Sequence, residues 1–310
     1  MKDWKVIVSK LSGGGNAGQA WARVSELLTA KGVTYSESFT EYKYHAIELT
    51  KEALKAGYRK ILTLGGDGAI HEILNGVMTQ SEVPTQEVTI AMIPVGSGND
   101  WPRYHQIPLK DLDAAVEVIV RGKEMIQDVV KVETINNGNP YTRYMVNIGG
   151  LGFDAQVCHL FEAAKKKGKS GDAQYYKCLM QGFLWYKCPH FTVKVDGEPF
   201  YEGPAFSVAL GNGRYCGGGM METPQAVIDD GLLDVTVVKK LWKGKFLFSV
   251  KRLFKGTILE MKEVIAARAK HTIEIDATPA SFMEVDGEPV GCSPAKCTII
   301  PSAVKVVTNL

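Results

Sequence analysis

The sequence lacks an excess of charge of either sign, since 36 Lys and Arg residues are balanced by 34 Asp and Glu residues, for a net charge of +2. Such a balance provides no global attraction to nucleic acid, so any basic surface must be local. Long apolar runs are also missing, because no stretch approaches the roughly 18 uninterrupted apolar residues of a membrane-spanning helix. We therefore expect no nucleic-acid partner and no membrane span.

Cysteine is sparse, with six residues in 310 and no Cys-x-x-Cys pair. Cys292 and Cys297 are not accompanied by a pair of histidines, so we expect no zinc site. The first six residues lack the apolar core of a signal peptide. We expect a cytoplasmic protein with reduced thiols. Its length and its 45% of hydrophobic residues favour two domains, or one large one, with real cores.

The most informative stretch is a turn with three glycines and an acid, Gly65, Gly66, Asp67 and Gly68. The apolar residues 60–64 before it predict a buried parallel strand. Helical spacing follows, at Ile70, Ile73, Leu74, Val77 and Met78. Glycine lets backbone approach a ligand, and a helix start offers N–H groups to an anion. The turn predicts a phosphate site, with Mg²⁺ or water between phosphate and aspartate; the alternative is an ordinary tight turn.

Two further glycine-rich turns follow predicted strands. Residues 11–18 form a loop after the strand at 5–9, with glycines at 13–15, and a helix follows from Ala20. The turn Pro94 to Asp100 follows the strand at 88–93. Continued alternation of strands and helices up to Gly122 predicts an open parallel sheet covered on both faces. Ligands of such sheets bind at the carboxyl ends of the strands.

The second half changes to short strands joined by hairpin turns such as Asn136 to Asn139. Two helical patches interrupt them, near 153–166 and 174–186. We predict a β-rich second domain. Its expected strands are residues 126–133, 141–148, 191–195, 205–210, 233–238, 272–275, 282–285 and 298–300.

Two segments together resemble the signatures of the diacylglycerol kinase catalytic family, which includes the sphingosine and ceramide kinases. The first is Gly65 to Gly76, and the second is Ile93 to Asp100. The resemblance implies a Rossmann-like α/β nucleotide-binding domain at 1–125, of the NAD-kinase and diacylglycerol-kinase type. It also implies a β-sandwich lipid-substrate domain at 126–300, with residues 301–310 completing the first domain.

The same resemblance implies a set of nucleotide-binding positions for ATP. They are Ser12, Gly13, Thr40, Gly65, Gly66, Asp67, Gly68, Ala69, Ile70, His71, Gly96, Ser97, Asn99 and Asp100. Three departures stand out: Ser9-Lys10 replaces Asn-Pro, Ala69 replaces Thr, and His71 replaces Asn. His71 either donates to a phosphate or is a solvated surface residue.

Asp-Gly-Glu-Pro occurs twice, at 196–199 and 286–289. Asp-Gly at a strand end is first of all a turn, and the sequence alone does not rank the two copies. The family resemblance implies that the second copy supplies the catalytic acid, so Glu288 is the expected general base and Asp286 its neighbour. The first copy is then structural.

The resemblance also implies a structural Mg²⁺ near the segment 228–234. Its ligands would be the Asp230 carboxylate and the carbonyls of Val227 and Leu232, an oxygen set that suits this ion. The alternative is a simple turn before the next strand.

Between Lys239 and Lys262 the sequence has eight Lys or Arg residues and one acid, Glu260. Apolar residues recur there with helical spacing, at Phe246, Val250, Leu253, Phe254 and Ile258. A basic amphipathic helix of this kind contacts an anionic membrane or packs on its own domain. Membrane contact, helped by the lysines at 165–169, would place the protein at the inner face of the membrane.

The resemblance implies an ATP- and Mg²⁺-dependent lipid kinase acting on a diacylglycerol-like alcohol. An NAD kinase is the first alternative, because it shares the Gly-Gly-Asp-Gly turn. A non-catalytic nucleotide or lipid sensor is the second, because of Ala69 and His71. The particular lipid and the oligomeric state, a homodimer included, stay open.

Overall fold

The computed structural model describes residues 3–10, 12–169 and 171–310. The chain divides into two compact units. The first contains the residues up to Val129 together with Gly217–Gly219 and Pro301–Leu310. The second contains Val130–Cys216 and Met220–Ile300. The first stretch of the first unit ends at Val129, where we expected a boundary at residue 125.

The first unit alternates strands with helices. Its elements are β1 (Trp4–Val8), α1 (Asn16–Ala30), β2 (Tyr35–Phe39), α2 (His45–Lys55), β3 (Lys60–Gly65), α3 (Asp67–Met78), β4 (Thr89–Pro94), α4 (Asp100–Tyr104), α5 (Leu112–Arg121) and the start of β5 (Glu124–Asn136). Short 3-10 turns lie at Ser12–Gly15 and Thr85–Glu87. Gly122 ends α5 in the left-handed conformation, as a glycine after the last apolar position predicts.

The sheet of this unit is parallel, as the alternation predicts, with the order β2, β1, β3, β4. Lys305 and Val306 pair in parallel with Thr89 and Ile90 of β4, so residues from the far end of the chain continue the sheet. The chain passes from β1 to β2 on one side and then returns to β3 on the other side. The carboxyl ends of β1 and β3 therefore flank a switch point, where open α/β sheets bind ligands.

The apolar sequences of the central strands β3 and β4 correspond to their burial. Every residue of β4 is buried, and in β3 only Lys60 is not fully buried, as near-continuous apolar runs predict for parallel strands. The first helix differs from expectation because α1 begins at Asn16, where we predicted a loop as far as residue 18. Ala17 is fully buried, so core packing already begins there. Residue 11 of the predicted loop lies outside the described part of the chain.

The second unit is β-rich, as predicted. After β5 its elements are β6 (Asn139–Met145), β7 (Ile148–Gly152), α6 (Phe153–Lys165), α7 (Asp172–Trp185), β8 (His190–Val195), β9 (Glu198–Gly211), β10 (Tyr215–Cys216), β11 (Met220–Met221), β12 (Leu233–Lys239), α8 (Lys243–Lys255), β13 (Val264–Ala269), β14 (Thr272–Thr278), β15 (Phe282–Val285) and β16 (Glu288–Val307). A 3-10 turn lies at Ile258–Glu260.

Antiparallel pairing joins the strands of the second unit into two runs that share long strands. One run is β13, β12, β9, β7, β15, β16, and the other is β9, β8, β14, β16. The alternating inward residues form one apolar cluster that includes Phe191, Val208, Val235 and Ile273. Helices α6 and α7 pack on a smaller cluster built around Phe153. Within the described ranges, none of the helices has the length and apolar character needed to span a bilayer.

Candidate functional site

Three turns of the first unit meet at the carboxyl edge of its parallel sheet. The Ser9 N–H donates to the Leu64 carbonyl at 3.1 Å, and the Ser12 hydroxyl donates to the Ser9 hydroxyl at 2.9 Å. A Cβ added at Gly65 would lie 3.4 Å from Ser12 Oγ. The turn after β1 therefore contacts the end of β3, at the switch point of the sheet.

The turns after β3 and β4 touch through two glycines. A Cβ added at Gly96 would lie 2.6 Å from Gly66 Cα and 3.0 Å from Asn99 Oδ1. A Cβ added at Gly66 would in turn lie 3.1 Å from Gly96 Cα. Side chains at either position would push the two turns apart, so both positions require glycine for close backbone approach.

Asp67 joins the two signature segments. Its Oδ1 accepts hydrogen bonds from the backbone N–H groups of Asp100 and Trp101, at 2.9 and 3.0 Å. A carboxylate is favoured at the start of a helix, and here Asp67 caps α4 from outside that helix. Its other oxygen would lie 2.9 Å from a Cβ added at Gly98, and an Asp100 oxygen would lie 3.4 Å from the same point. Two carboxylates thus flank Gly98.

Asp100 is buried and held by a distant glycine run. Its Oδ2 accepts from the Gly218 N–H at 2.8 Å, and Arg103 Nε lies 3.7 Å from Oδ1. Burial raises the pKa of Asp100 above its ordinary value, against the lowering effect of the Gly218 bond. Gly217–Gly219 belongs to the first unit and binds α4 there through the Gly218 N–H.

Among the remaining turn residues, some hold the shape of a turn by hydrogen bonds and others are exposed to solvent. Asn99 closes its own turn, because its amide accepts from Gly96 N–H at 3.1 Å and donates to Gly96 O at 2.6 Å. Ser97 is exposed, and Ser12 is partly exposed. The Thr40 N–H donates to the Val8 carbonyl at 3.0 Å, which places Thr40 beside the end of β1. Gly13 lies in the 3-10 turn after β1.

Three predicted nucleotide positions on α3 have buried side chains. Ala69 is 6% exposed, and Ile70 and His71 are fully buried. Asn75 Nδ2 lies 3.4 Å from His71 Nε2 and donates to the His71 carbonyl at 2.8 Å. The prediction of a solvated or phosphate-donating His71 side chain is therefore wrong, because α3 is packed on nearly all sides. Only the backbone of its first turn can serve a phosphate.

Glu72 has a role that the sequence did not reveal. Its two carboxylate oxygens accept from the N–H groups of Tyr44 and Ala46, at 3.0 and 3.1 Å. It therefore caps the start of α2 and locks α2 to α3. The motif contained the glutamate, but nothing in the sequence indicated donors from so distant a segment.

The two Asp-Gly-Glu-Pro turns of the second unit share one construction. Asp286 accepts from the backbone N–H groups of residues 146–148, at 2.9–3.3 Å. Asp196 accepts from those of residues 270–272, at 2.8 Å each. Both aspartates have φ near +51°. Asp286, which we expected beside the catalytic acid, anchors its hairpin just as Asp196 does.

The glutamates of the two turns differ. Glu198 is exposed, whereas Glu288 is partly buried and interacts electrostatically with Glu284, whose Oε2 accepts from the Gly287 N–H at 2.7 Å. Asp154 and Glu222 share a hydrogen bond nearby, and Asp154 also interacts with Glu284. We call Asp154, Glu222, Glu284 and Glu288 the carboxyl cluster.

Burial shifts the pKa values of three members of this cluster, Asp154, Glu222 and Glu284. It raises the pKa of Asp154 from 3.8 to about 6. It also raises the pKa values of Glu222 and Glu284 well above their ordinary range, and the neighbouring carboxylates add to the effect. Sequence reasoning missed these three acids: Asp154 and Glu222 are single acids that directly follow an apolar residue, and Glu284 lies two residues before the turn at Asp286, which is the stronger sequence signal.

The expected Mg²⁺ ligands, Val227, Asp230 and Leu232, do not fit a cation in this arrangement. Asp230 Oδ1 accepts from the Leu232 N–H at 3.1 Å, and its other oxygen is paired with the Arg268 guanidinium. Arg268 Nε also bonds the buried Asp234 at 3.0 Å. A guanidinium thus already balances these carboxylates. In the described ranges, no group of three or more His, Cys, Asp or Glu residues is arranged to hold a metal.

Two family models match nearly the whole chain. Residues 3–132 match the model described as "Diacylglycerol kinase catalytic domain". Residues 148–308 match the model described as "YegS C-terminal NAD kinase beta sandwich-like domain". The two matches correspond closely to the two halves that the sequence pattern separates.

Named relatives agree with the family models. A "Diacylglycerol kinase" of Mycobacterium tuberculosis is 27% identical over 97% of this chain and 93% of that protein. A protein of Xanthomonas campestris pv. campestris named "Probable lipid kinase YegS-like" is 28% identical over 92% of this chain and 89% of that protein.

Solved structures share the fold. A diacylglycerol kinase from Bacillus anthracis aligns with a TM-score of 0.76 and 24% identity, over 99% of this chain and 97% of that one. Yeast NADH kinase complexed with NADH aligns with a TM-score of 0.53 and 12% identity, over 99% of this chain and 84% of that one. At these identities the likeness concerns the fold alone.

Proposed function

Because this chain belongs to the diacylglycerol kinase catalytic family and is a lipid kinase, we propose that it transfers the γ-phosphate of ATP to the hydroxyl group of a diacylglycerol-like lipid. The observation that carries the proposal is the meeting of three glycine turns at one sheet edge, with Gly66 against Gly96. Close backbone approach without side chains leaves main-chain N–H groups to hold phosphates.

The nucleotide is held by backbone and hydroxyl groups of these turns. Phosphoryl transfer needs positioning and neutralisation of charge more than covalent chemistry by the protein. The first turn of α3 and the turns at 12–15 and 96–98 supply N–H groups. The exposed Ser97 hydroxyl is a side-chain donor beside them, and the hydroxyls of Ser12 and Thr40 would join it by turning away from Ser9 and from the Val8 carbonyl.

Asp67 would hold a hydrated Mg²⁺ through Oδ2, because carboxylate oxygens suit this ion, and Asp100 Oδ2, which accepts from the Gly218 N–H, lies beside Gly98 as well. When bound with ATP, Mg²⁺ neutralises phosphate charge. Asp67 keeps its capping bonds to α4 in this scheme, because Oδ1 accepts from the backbone of α4 while Oδ2 lies beside Gly98.

Glu288 accepts the proton of the lipid hydroxyl while the hydroxyl oxygen bonds to the γ-phosphorus, the bond from that phosphorus to the bridging oxygen breaks and ADP leaves. The support is the contrast with its twin: the turns are built alike, yet only Glu288 belongs to the carboxyl cluster. Asp286 acts indirectly, by fixing the backbone of the turn that carries Glu288.

The test is incubation of the purified protein with γ-labelled ATP, Mg²⁺ and a total lipid extract, followed by identification of the labelled product. Label in a phosphorylated lipid alcohol is expected. Glu288→Gln should lower turnover by roughly 10²–10⁴-fold with nucleotide affinity retained, while Glu198→Gln, the matched control, should leave turnover unchanged. Full turnover by Glu288→Gln would remove its assigned role.

The same assay decides between the proposal and its rivals. Label entering NAD instead of lipid would identify an NAD kinase, for which the fold alone offers support. ATP binding without any labelled product would identify a sensor. The substitutions that favoured a sensor, Ala69 and His71, lie at buried positions, so they alter the packing of α3 more than the surface offered to a nucleotide.

A further inference from the structure

Helix α7 is apolar on two faces. Its inner face packs Tyr175, Leu179 and Phe183 against the cluster of Phe153 and Val157. Gly182 lies at the closest approach, since a Cβ added there would be 3.2 Å from Val157 Cγ2. The inner face therefore satisfies the packing of α7 on its own unit, and no further apolar residues are needed for that purpose.

The outer face carries a second apolar stripe. Tyr176, Met180 and Leu184 follow one another at intervals of four residues, so they lie above one another along the helix. Their exposed fractions are 64%, 55% and 59%, and Trp185 at the end of the helix is 80% exposed. Single exposed apolar side chains are normal, but a contiguous stripe indicates a surface that contacts another apolar phase.

Exposed lysines flank this stripe in the sequence. Lys177 is exposed on the same helix, and exposed lysines also precede and follow it, at 165–167, 169 and 187. Between residues 153 and 190 there are six lysines and three acids, and one acid, Asp154, belongs to the carboxyl cluster. The local positive charge contrasts with the near-neutral chain.

We propose that this surface docks on an anionic lipid bilayer. The α7 patch consists of Tyr176, Lys177, Met180, Leu184 and Trp185. Its apolar side chains would enter the headgroup region, where Tyr and Trp are favoured, and the lysines would meet anionic headgroups. The proposal rests on the proposed function for its purpose, because a lipid kinase must meet its substrate at a membrane. A second copy of the chain is a poorer occupant, since lysine would face lysine.

The structure separates α7 from α8, the helix that the sequence suggested. Leu253 and Ile258 are buried in a cluster of their own unit. Lys245 is paired with Glu263 at 2.7 Å, and Arg252 with Glu260 at 2.9 Å. Much of the apolar face of α8 is thus packed on its own unit, and two of its cations are already in ion pairs. Phe254 is 52% exposed, and the side chain of Phe246 lies outside the described part of the chain.

Sedimentation with vesicles tests the assignment without ATP or catalysis. Binding is expected to vesicles of equal parts phosphatidylcholine and phosphatidylglycerol, and to weaken at high salt. Met180→Glu and Leu184→Glu should each weaken it at least about tenfold. Exchanging Lys166 or Lys177 for Ser should weaken it about fivefold each. Phe254→Glu, with similar exposure on α8, is the matched control and should bind as the parent does.

Thermal unfolding of each variant checks that the fold is retained, and quenching of Trp185 by brominated lipid reports its depth directly. Loss of binding in Phe254→Glu with full binding in Met180→Glu and Leu184→Glu would overturn the proposal, as would equal binding to purely phosphatidylcholine vesicles.

The kinase assay on short-chain diacylglycerol in detergent is a separate readout. Activity there should survive the α7 changes, and its absence in the parent would refute the proposed function while leaving the vesicle result intact.

Discussion

Asp196 and Asp286 show how one residue type in one motif can have a meaning that only its surroundings reveal. Each sits in a left-handed turn position and binds three consecutive N–H groups of a neighbouring turn. These donors are distant in sequence, so no local pattern could assign them. The two copies differ in the glutamate that follows the glycine: Glu198 is exposed, whereas Glu288 belongs to the carboxyl cluster.

Substitution of either aspartate should lower stability, whereas only substitution of Asp286 should lower kcat. Asp196→Asn and Asp286→Asn should each lower the free energy of unfolding by about 1–3 kcal/mol, because an amide accepts fewer of the charge-assisted bonds. Urea unfolding measures this. Only Asp286→Asn should also reduce kcat, since only its turn carries the general base; an equal loss of kcat in both would contradict the roles given to Glu288 and Asp286.

The pKa of Asp154 predicts a pH-dependent stability. Because the folded pKa of about 6 lies above the ordinary 3.8, the folded state binds the proton more tightly. Stability attributable to Asp154 is therefore highest below pH 4 and falls as pH rises toward about 6, after which it changes no further.

Thermal unfolding of Asp154→Asn and of the parent between pH 4 and pH 7 measures this effect. The Tm of the variant minus the Tm of the parent should increase between pH 4 and about pH 6, because only the parent loses the contribution of Asp154. Parallel curves for the two proteins would mean that Asp154 is not the group that titrates.

At the scale of elements, two carboxylates hold helices in place from neighbouring segments. Asp67 caps α4 and Glu72 caps α2. The sequence predicted the helices from their apolar spacing and the turns from their glycines. It did not predict the burial of His71, because α3 packs on nearly all sides and a single polar residue does not reveal its surroundings.

The close contact between Gly66 and Gly96 predicts that a methyl group added at Gly96 weakens ATP binding. Gly96→Ala should weaken ATP binding strongly, by about tenfold or more, because the new Cβ would meet Gly66 Cα. Gly18→Ala in α1 is the control, since its Cβ would meet only ordinary contact at 3.8 Å. Titration calorimetry with an ATP analogue measures both. Unchanged affinity in Gly96→Ala would show that the two turns do not position phosphates together.

Arg268 predicts that the turn at Asp230 needs no divalent ion. Chelation of Mg²⁺ should leave the Tm of the nucleotide-free protein unchanged, whereas Arg268→Ala should lower the free energy of unfolding by about 1–3 kcal/mol, because the buried Asp234 loses its partner. A fall in Tm on chelation would restore the ligand set of Val227, Asp230 and Leu232 inferred from the family.

At the scale of the whole molecule, the division into an α/β half and a β-rich half could be predicted, because strand and helix periodicities change near residue 125. The particular pairings could not. Shared long strands such as β9 and β16 join runs that are far apart in sequence, and register depends on packing in three dimensions. The glycine turns were recognisable because parallel strands place their carboxyl ends together.

The pairing of Lys305 and Val306 with β4 has a consequence for biosynthesis. While the second unit is still being synthesised, one hydrogen-bonding edge of β4 is uncovered, although β1, β2 and β3 have already been made. An open edge of this kind invites pairing with foreign strands. The edge of β4 is thus open to such pairing until Lys305 and Val306 have been made and cover it.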